Sequence, residues 1–430
     1  MRFFFTRFRA QNGRKLISFP RLHWWQLGLF FVVMGPGIIT GVVDNDIGGI
    51  ATYSSAGASY GYQLLWVLLL STIALAIIQE MNARMGAVTG KGLAALIRES
   101  FGIRIAFYSL IALLIANVGN IMAEFAGIAA GGEIFGIPRI VSIPIAILLV
   151  TYIALYSNYH KVERILLIFC LFYLAYVFAG FLAKPDWALA LNNSIKPTMD
   201  LKDVGLVTMA ITIIGTTIAP WMQFYQQAAV AEKKILLKDY QYEKWDTYVG
   251  SFLTNFVAFF IVVATAATLY KNGILVETAG DAAKALIPIA GRFAGSLFAF
   301  GLINAGLMSA IVLPASTAYS LSEGFGWDAG IDKKFKEAPR FYIILVTLIV
   351  FGGLSILWSK IDLIKIMIWS QTINGILLPL ILILMLIIVN NKSIMGKHTN
   401  TKFQNIITIA TAGGVIILTA ALVIFTIIGK

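Results

Sequence analysis

Eleven runs of about twenty apolar residues follow one another along this chain, centred near Thr40, Leu70, Ile115, Ala146, Leu171, Thr217, Ala258, Gly306, Leu345, Gly375 and Leu418. A helix of that length crosses about 30 Å of hydrocarbon, where only helices and closed barrels satisfy every backbone N–H and C=O. The pattern predicts an all-α polytopic membrane protein. Composition agrees, since 59% of the 430 residues are hydrophobic and 13% are charged, which leaves too little polar surface for a soluble globule. The connections are short and polar: GKGLAALIRESFG, YSNYHKVER, AEKKILLKDYQYEKWD, DAGIDKKFKEAPR and NNKSIMGKHTNTK. No separate soluble domain is visible among them.

Basic residues orient the chain. Arg2, Arg7, Arg9, Arg14, Lys15 and Arg21 precede the first run, and Lys and Arg recur in alternate connections, which places the N-terminus in the cytoplasm and Lys430 outside. The chain reads as a basic cytoplasmic arm over 1–26, a membrane-spanning core over 27–390, and a cytoplasmic loop with an eleventh helix over 391–430. The arm is read as retained, because no small-residue cleavage pattern follows it. The net charge of +12 is explained by basic loops facing an anionic inner leaflet, so the bilayer is the expected partner and no nucleic acid is needed.

Several chemistries are disfavoured by what is missing. One cysteine, Cys170, offers neither a disulfide framework nor a thiolate cluster within the chain. The three histidines, His23, His160 and His398, fall in loops or flanks, so no zinc enzyme or histidine relay is readily built. A glycine-rich phosphate loop followed by lysine is also lacking. The chain is expected not to be an enzyme and to need no cofactor.

Inside the first apolar run stands GVVDNDIGGIATY, residues 41–53, with two carboxylates, an amide and a glycine pair. Ionisable groups at membrane depth are costly and mark a pathway or a binding site. In an unbroken helix, residues two apart point about 200° away from each other, so Asp44 and Asp46 can serve one site only if the segment unwinds there. The sixth run, GLVTMAITIIGTTIAPWMQFYQQAAV, carries a second interruption at Gly215 and Pro220. Proline removes a helix donor and frees an upstream carbonyl. Interruptions in the first and sixth runs are the mark of a 5+5 inverted repeat with a site at the midplane, here over about 27–183 and 204–390.

The run GPGIITGVVDNDIGGIATYSSAGASYGYQLLWVLLLS resembles the first two helices of the natural resistance-associated macrophage protein (Nramp) family of divalent-metal transporters. VTGKGLAALIRE, MAEFAG and GLMSAIVLPASTAYSLSEGFGW resemble the segments after the second helix, in the third and in the eighth. The resemblance implies a leucine-transporter-like fold with helices 1 and 6 broken. Aligned from Gly35–Pro36, the first-helix metal motif D-P-G-N of the family places its aspartate on Asp46, its proline on Ile47 and its asparagine on Gly49. In the sixth helix the family motif M-P-H falls on Ala219, Pro220 and Trp221, and a second histidine on Gln226. An aspartate of the proton path falls on Ile121, while the nearby glutamate is kept as Glu124 and the tenth-helix glutamine as Gln371.

These departures share a direction. Sulfur favours softer transition metals, whereas oxygen suits magnesium and calcium, and magnesium keeps several of its waters. The pattern resembles the Nramp-related magnesium transporter branch. The expected site has Asp46 as charged ligand, Gln371 as amide contact, backbone carbonyls around Thr216 and Ala219, and the room left at Gly49. Asp44 stays open between a ligand and a helix-end role, with Asn45 beside it at the entry. Thr217 and Gln223 are read chiefly as bonds to neighbouring helices, Glu323 as a contact near the inner surface, and Glu80 with Arg84 as a surface ion pair or gate contact. The expected function is secondary or facilitated import of partly hydrated Mg²⁺, and of Mn²⁺, without proton coupling, across a bacterial plasma membrane. The alternatives are a proton-coupled Mn²⁺/Fe²⁺ symporter, an amino-acid carrier, and a metal sensor or channel.

Overall fold

In the computed structural model the described residues are 40–41, 43–156, 174–235, 237, 240–287, 291–331, 333–358 and 362–428. The chain divides into Met1–Met34 and a compact unit, Gly35–Lys430, and the account concerns the latter. The basic arm and the middle of the fifth run, near Leu171, lie outside the described residues.

Among the described residues there is no strand, and nine helical stretches are long and apolar enough to cross a membrane. The helices are α1 (Ile47–Tyr60), α2 (Leu65–Thr89), α3 (Leu93–Ile134), α4 (Arg139–Tyr156), α5 (Leu174–Leu182) and α6 (Trp187–Ile195). They continue with α7 (Val204–Thr217), α8 (Pro220–Glu232), α9 (Tyr240–Thr268), α10 (Ala294–Phe325), α11 (Pro339–Ile356), α12 (Leu363–Asn390) and α13 (Lys402–Ile428).

Both expected interruptions are present. Val43 and Asp44 are helical, Asn45 and Asp46 leave the helix, and α1 restarts at Ile47 with Asp46 in an extended conformation (φ −64°, ψ 178°). The Asp46 side chain caps the new helix by accepting from Gly49 N at 2.6 Å, and its carbonyl accepts from Ile50 N at 2.9 Å. In the sixth run, α7 is capped by Asp203 and stops at Thr217, and α8 opens with Pro220 at its first position. Proline suits that position because its missing N–H is not needed there.

The segment GKGLAALIRESFG corrects the reading as a polar connection. Only residues 90–92 form the turn, and Leu93–Ser100 is already helix, joined to the rest of α3 across Gly102 at φ 81°. Leu93, Ala94, Leu96 and Ile97 are buried, at a helical spacing that the flanking Lys, Arg and Glu masked.

Packing reveals the repeat. α1 packs on α9, and the corresponding partners in the second half, α7 and α8, pack on α2. α3 packs most extensively on α10, also on α11, while α4 packs on α10 and α11. Shifting the spans by five maps these pairs onto each other, as an inverted repeat requires. α12 bridges the two groups, touching α3 on one side and α7 on the other. The outer faces of α2, α4 and α13 expose Leu70, Leu148 and Ile427, which are apolar surfaces suited to lipid.

Small residues bring these helices together, the usual device where no hydrophobic drive separates helix from lipid. Ile47 inserts between Gly127 of α3 and Gly306 of α10, where a Cβ on Gly306 would stand 2.9 Å from Ile47 Cδ1. A Cβ on Gly215 of α7 would strike the Gln371 carbonyl and the Gly375 backbone of α12. Thr212 and Thr372 join the same two helices by a 2.7 Å hydroxyl bond. Gly215→Val is expected to force α7 off α12 and destabilise the protein by about 1–3 kcal/mol, the usual cost of overpacking. Thermal unfolding of the purified variant in detergent checks this, and an unchanged midpoint would show that the two backbones do not meet.

Candidate metal-ion site

The break in the first span and the break in the sixth face each other. Tyr53 of α1 and Thr217 of α7 share a 2.9 Å hydroxyl bond, and the residues between the half-helices are buried, with Asp44, Asn45 and Asp46 at most 3% exposed. The point where a Cβ on Gly49 would sit lies 3.1 Å from the Asp44 carbonyl, 3.2 Å from Thr216 Oγ1 and 3.4 Å from Asp46 Oδ1. Three oxygens from three chain positions thus surround the space that the missing side chain leaves. Gln371 closes one side, because its amide abuts Gly48 so closely that any Cβ there would overlap it.

Pro220 contributes by omission. The carbonyl of Thr216 would accept from residue 220 in a continuous helix, and proline has no N–H to give. The Ala219 carbonyl, by contrast, already accepts from Met222 N and from Gln223 Nε2, each at 3.2 Å. Of the two carbonyls that the sequence nominates, that of Thr216 has the clearer opportunity to face an ion.

Several buried polar atoms at this place make no hydrogen bond among the described residues: Asp44 Oδ1, Thr216 Oγ1, Glu124 Oε1 and Gln371 Nε2. Buried polar groups without partners are rare, and a cluster of them needs an explanation. The Glu124 carboxyl of α3 lies beside Asp46, and its Oε2 accepts from Ile47 N at 3.4 Å. Gln371 Nε2 also lies beside the Asp46 carboxylate. The Asp44 side chain turns instead toward Thr254 of α9, whose carbonyl is held by Asn45 Nδ2 at 3.2 Å. Asp44 therefore brings its carbonyl to the cradle and its carboxylate to the α9 side.

The positions that depart from the family pattern are filled and paired. Trp221 is 1% exposed and its carbonyl accepts from Ser316 of α10 at 3.3 Å. Gln226 accepts from Thr40 Oγ1 at 2.7 Å and donates to Glu243 at 3.0 Å, and Ile121 packs against Gly352. Gln223 accepts from Asn82 of α2 at 2.5 Å, so Gln223 and Thr217 both bond neighbouring helices. Glu323 lies against Gly92 in the turn between α2 and α3.

Glu80 and Arg84 are not a surface pair: both are buried, bonded at 3.1 Å and 3.3 Å. Arg84 also donates to the His398 carbonyl at 2.5 Å and to Asn400 at 2.6 Å, while Glu80 accepts from Gln404 at 2.7 Å and from Tyr240. Such a network satisfies both charges, as a buried ion pair requires. It ties α2 to the start of α9 and to α13.

Sequence reasoning missed one pair. Asn120 of α3 and Asn374 of α12 exchange amide bonds of 3.1 Å and 3.0 Å, and Asn374 Nδ2 also donates to Gln371 Oε1 at 2.8 Å. Asn374 stands three residues from Gln371, hence on the same helix face, which was the available signal.

Among the described residues no group of three or more His, Cys, Asp and Glu is arranged to hold a metal ion. The arrangement offers carboxylate, carbonyl and hydroxyl oxygens and an amide N–H at the junction of broken helices. That is the form of a membrane carrier of the leucine-transporter-like fold, with its site between discontinuous helices. The chain superposes on the Eremococcus coleocola manganese transporter bound to an aromatic bis-isothiourea compound, with a TM-score of 0.75, 20% identity, and 95% of this chain and 88% of the other covered. It also superposes on Mhp1, a nucleobase-cation-symport-1 family transporter in a closed conformation, with a TM-score of 0.56, 13% identity and 91% of each chain covered. These likenesses establish the fold.

The family follows from sequence. Residues 37–425 match the model of the natural resistance-associated macrophage protein-like family, and the chain belongs to it. It is 28% identical over 418 residues to the divalent metal cation transporter MntH of Caldanaerobacter subterraneus subsp. tengcongensis, covering 94% of this chain and 96% of that one. It is 27% identical over 404 residues to MntH of Bacillus subtilis, covering 91% and 92%.

Gly49→Ala places a methyl group in the oxygen cradle, at distances of 3.1 to 3.4 Å that leave no room for an ion or its water. The variant is expected to fold and to lose at least about tenfold in Mg²⁺ and Mn²⁺ affinity, since several oxygen contacts go together. Calorimetric titration of purified protein measures this, and wild-type affinity would move the site away from Gly49.

Proposed function

We propose that this protein carries divalent cations across the membrane, with Mg²⁺ as the preferred ion and Mn²⁺ as a second, and without moving protons. The ion site comprises Asp46, the carbonyl of Asp44, Thr216 and Gln371, with Gly49 leaving the space and Ala219 forming its wall. Membership of a family whose similar members are named divalent metal cation transporters supports the substrate class.

The observation that carries the preference is the oxygen cradle at Gly49. A carbonyl, a hydroxyl and a carboxylate oxygen converge beside a residue with no side chain, a set of hard oxygen donors that suits magnesium. Ala219 stands where the family has a thioether, so the softer metals gain no advantage here.

The absence of proton coupling rests on Ile121, Trp221 and Gln226, which stand where the family has titratable groups. Entry needs no such coupling. A potential of about 100 mV, negative inside, contributes roughly 4.6 kcal/mol for a doubly charged ion, or more than about a thousandfold accumulation.

Proteoliposomes with an imposed potential and a trapped pH dye test both claims. Uptake of Mg²⁺ and Mn²⁺ should follow the potential, leave lumenal pH unchanged, and vanish in Asp46→Asn. A metal-dependent proton influx that Glu124→Gln removes would instead make the protein a proton-coupled Mn²⁺/Fe²⁺ symporter.

Ala219→Met restores a sulfur to the wall. The ratio of Mn²⁺ to Mg²⁺ uptake should rise about tenfold, the effect of roughly 1.4 kcal/mol. An unchanged ratio would mean that the sixth-span break does not select the ion.

A further inference from the structure

Three buried amides, Gln371, Asn374 and Asn120, are each at most 1% exposed and are connected in a line from the ion cradle into α3. Asn374 Nδ2 donates to Gln371 Oε1 at 2.8 Å and to Asn120 Oδ1 at 3.0 Å, and Asn374 Oδ1 accepts from Asn120 Nδ2 at 3.1 Å. The carbonyl end of Gln371 is thus turned away from the cradle. Its Nε2 end lies against Gly48 and beside the Asp46 carboxylate.

This orientation places an N–H, and not an oxygen, beside the Asp46 carboxylate. An amide N–H near a carboxylate offsets its charge, but beside a divalent cation the same N–H is repelled, and hard cations bind oxygen. For Gln371 to meet the ion through oxygen, its amide must turn over, which points Nε2 at Asn374. Asn374 must then present Oδ1, and Asn120 must present Nδ2 where its oxygen had been.

The second arrangement conserves every bond. Gln371 Nε2 and Asn120 Nδ2 donate to Asn374 Oδ1, and Asn374 Nδ2 donates to Asn120 Oδ1, three bonds in place of three. An amide has a donor end and an acceptor end of nearly the same shape, so the reversal needs no change of volume. We propose that Asn374 and Asn120 are positioning residues that hold Gln371 in either of two hydrogen-bond registers, N–H toward Asp46 without ion and Oε1 toward the ion when loaded. The proposal rests on the reading of Asp46 and Gln371 as ion ligands. Because Asn120 belongs to α3, the switch couples the state of the cradle to the helix that carries Glu124.

The test is Mg²⁺ titration of the full-length protein in detergent, for Asn374→Leu and Asn374→Ser, each in the native chain and in a Gln371→Leu background. Leucine leaves Nε2 of an ion-facing Gln371 without an acceptor, and an orphaned buried N–H is the costlier orphan. Serine can both donate and accept. Asn374→Leu should weaken binding about tenfold and Asn374→Ser by less than about threefold, a difference the size of one buried hydrogen bond. In the Gln371→Leu background, leucine and serine at 374 should bind alike. Should Asn374→Leu fail to fold, Asn374→Val and Asn374→Thr, isosteric apart from the hydroxyl, make the same comparison. Equal affinity for the leucine and serine variants in the native chain overturns the switch, as does a difference that persists without Gln371. A native chain that binds no divalent ion would overturn the transport reading itself, a result distinct from binding without coupling.

Discussion

Everything in this structure depends on one requirement, that no backbone N–H or C=O may face hydrocarbon unpaired. A helix interrupted at mid-span violates it unless protein closes around the gap. Here the two interruptions lie opposite each other, joined by the Tyr53–Thr217 bond, with α12 against α7 and α3 beyond. Asp46 satisfies the start of α1, and Pro220 needs no partner at the start of α8. The Asp44 carbonyl at the first break, the Thr216 hydroxyl at the second and the Asp46 carboxylate all come close beside Gly49.

Enclosure is achieved by close approach. Ile47 fits between Gly127 and Gly306, and Gly215 lies on the backbone of Gln371 and Gly375. The same approach that excludes lipid carries Gln371 to Gly48 and so to Asp46. Stability and site geometry are therefore one problem for this chain: the glycines that allow the packing also set how far the ligands stand apart.

The residues around the breaks act together. At 47, where the family has proline, isoleucine supplies the apolar contact to α3 and α10. Trp221 fills its position entirely and is locked to Ser316, so that part of α8 holds a bulky apolar wall in place of an imidazole. Glycine at 49 and alanine at 219 are smaller than the asparagine and methionine of the family motif, whereas Trp221 is larger than its histidine.

The apolar runs, the buried carboxylates and Pro220 carried the architecture on their own, because hydrocarbon leaves a chain few choices. The broken first and sixth spans and the inverted repeat were legible at that level, whereas Gln371, and Asp46 as a ligand, were nominated through the family resemblance. Two readings failed for local reasons: Leu93–Ser100 looked polar because charges flank its buried face, and Glu80–Arg84 looked like a surface pair because its partners come from residues 240 and 398–404. The direction of the Asp44 side chain toward Thr254 was equally beyond reach, since torsions in an unwound segment follow no period. Asn120 and Asn374 stand 254 residues apart in unremarked apolar spans, and neither shows a motif. Sequence determined which segments cross the membrane and where they break, since burial of the backbone is a local demand. Which amides meet across the gap was decided by tertiary packing, because a hydrogen bond between helices depends on distances that no single helix contains.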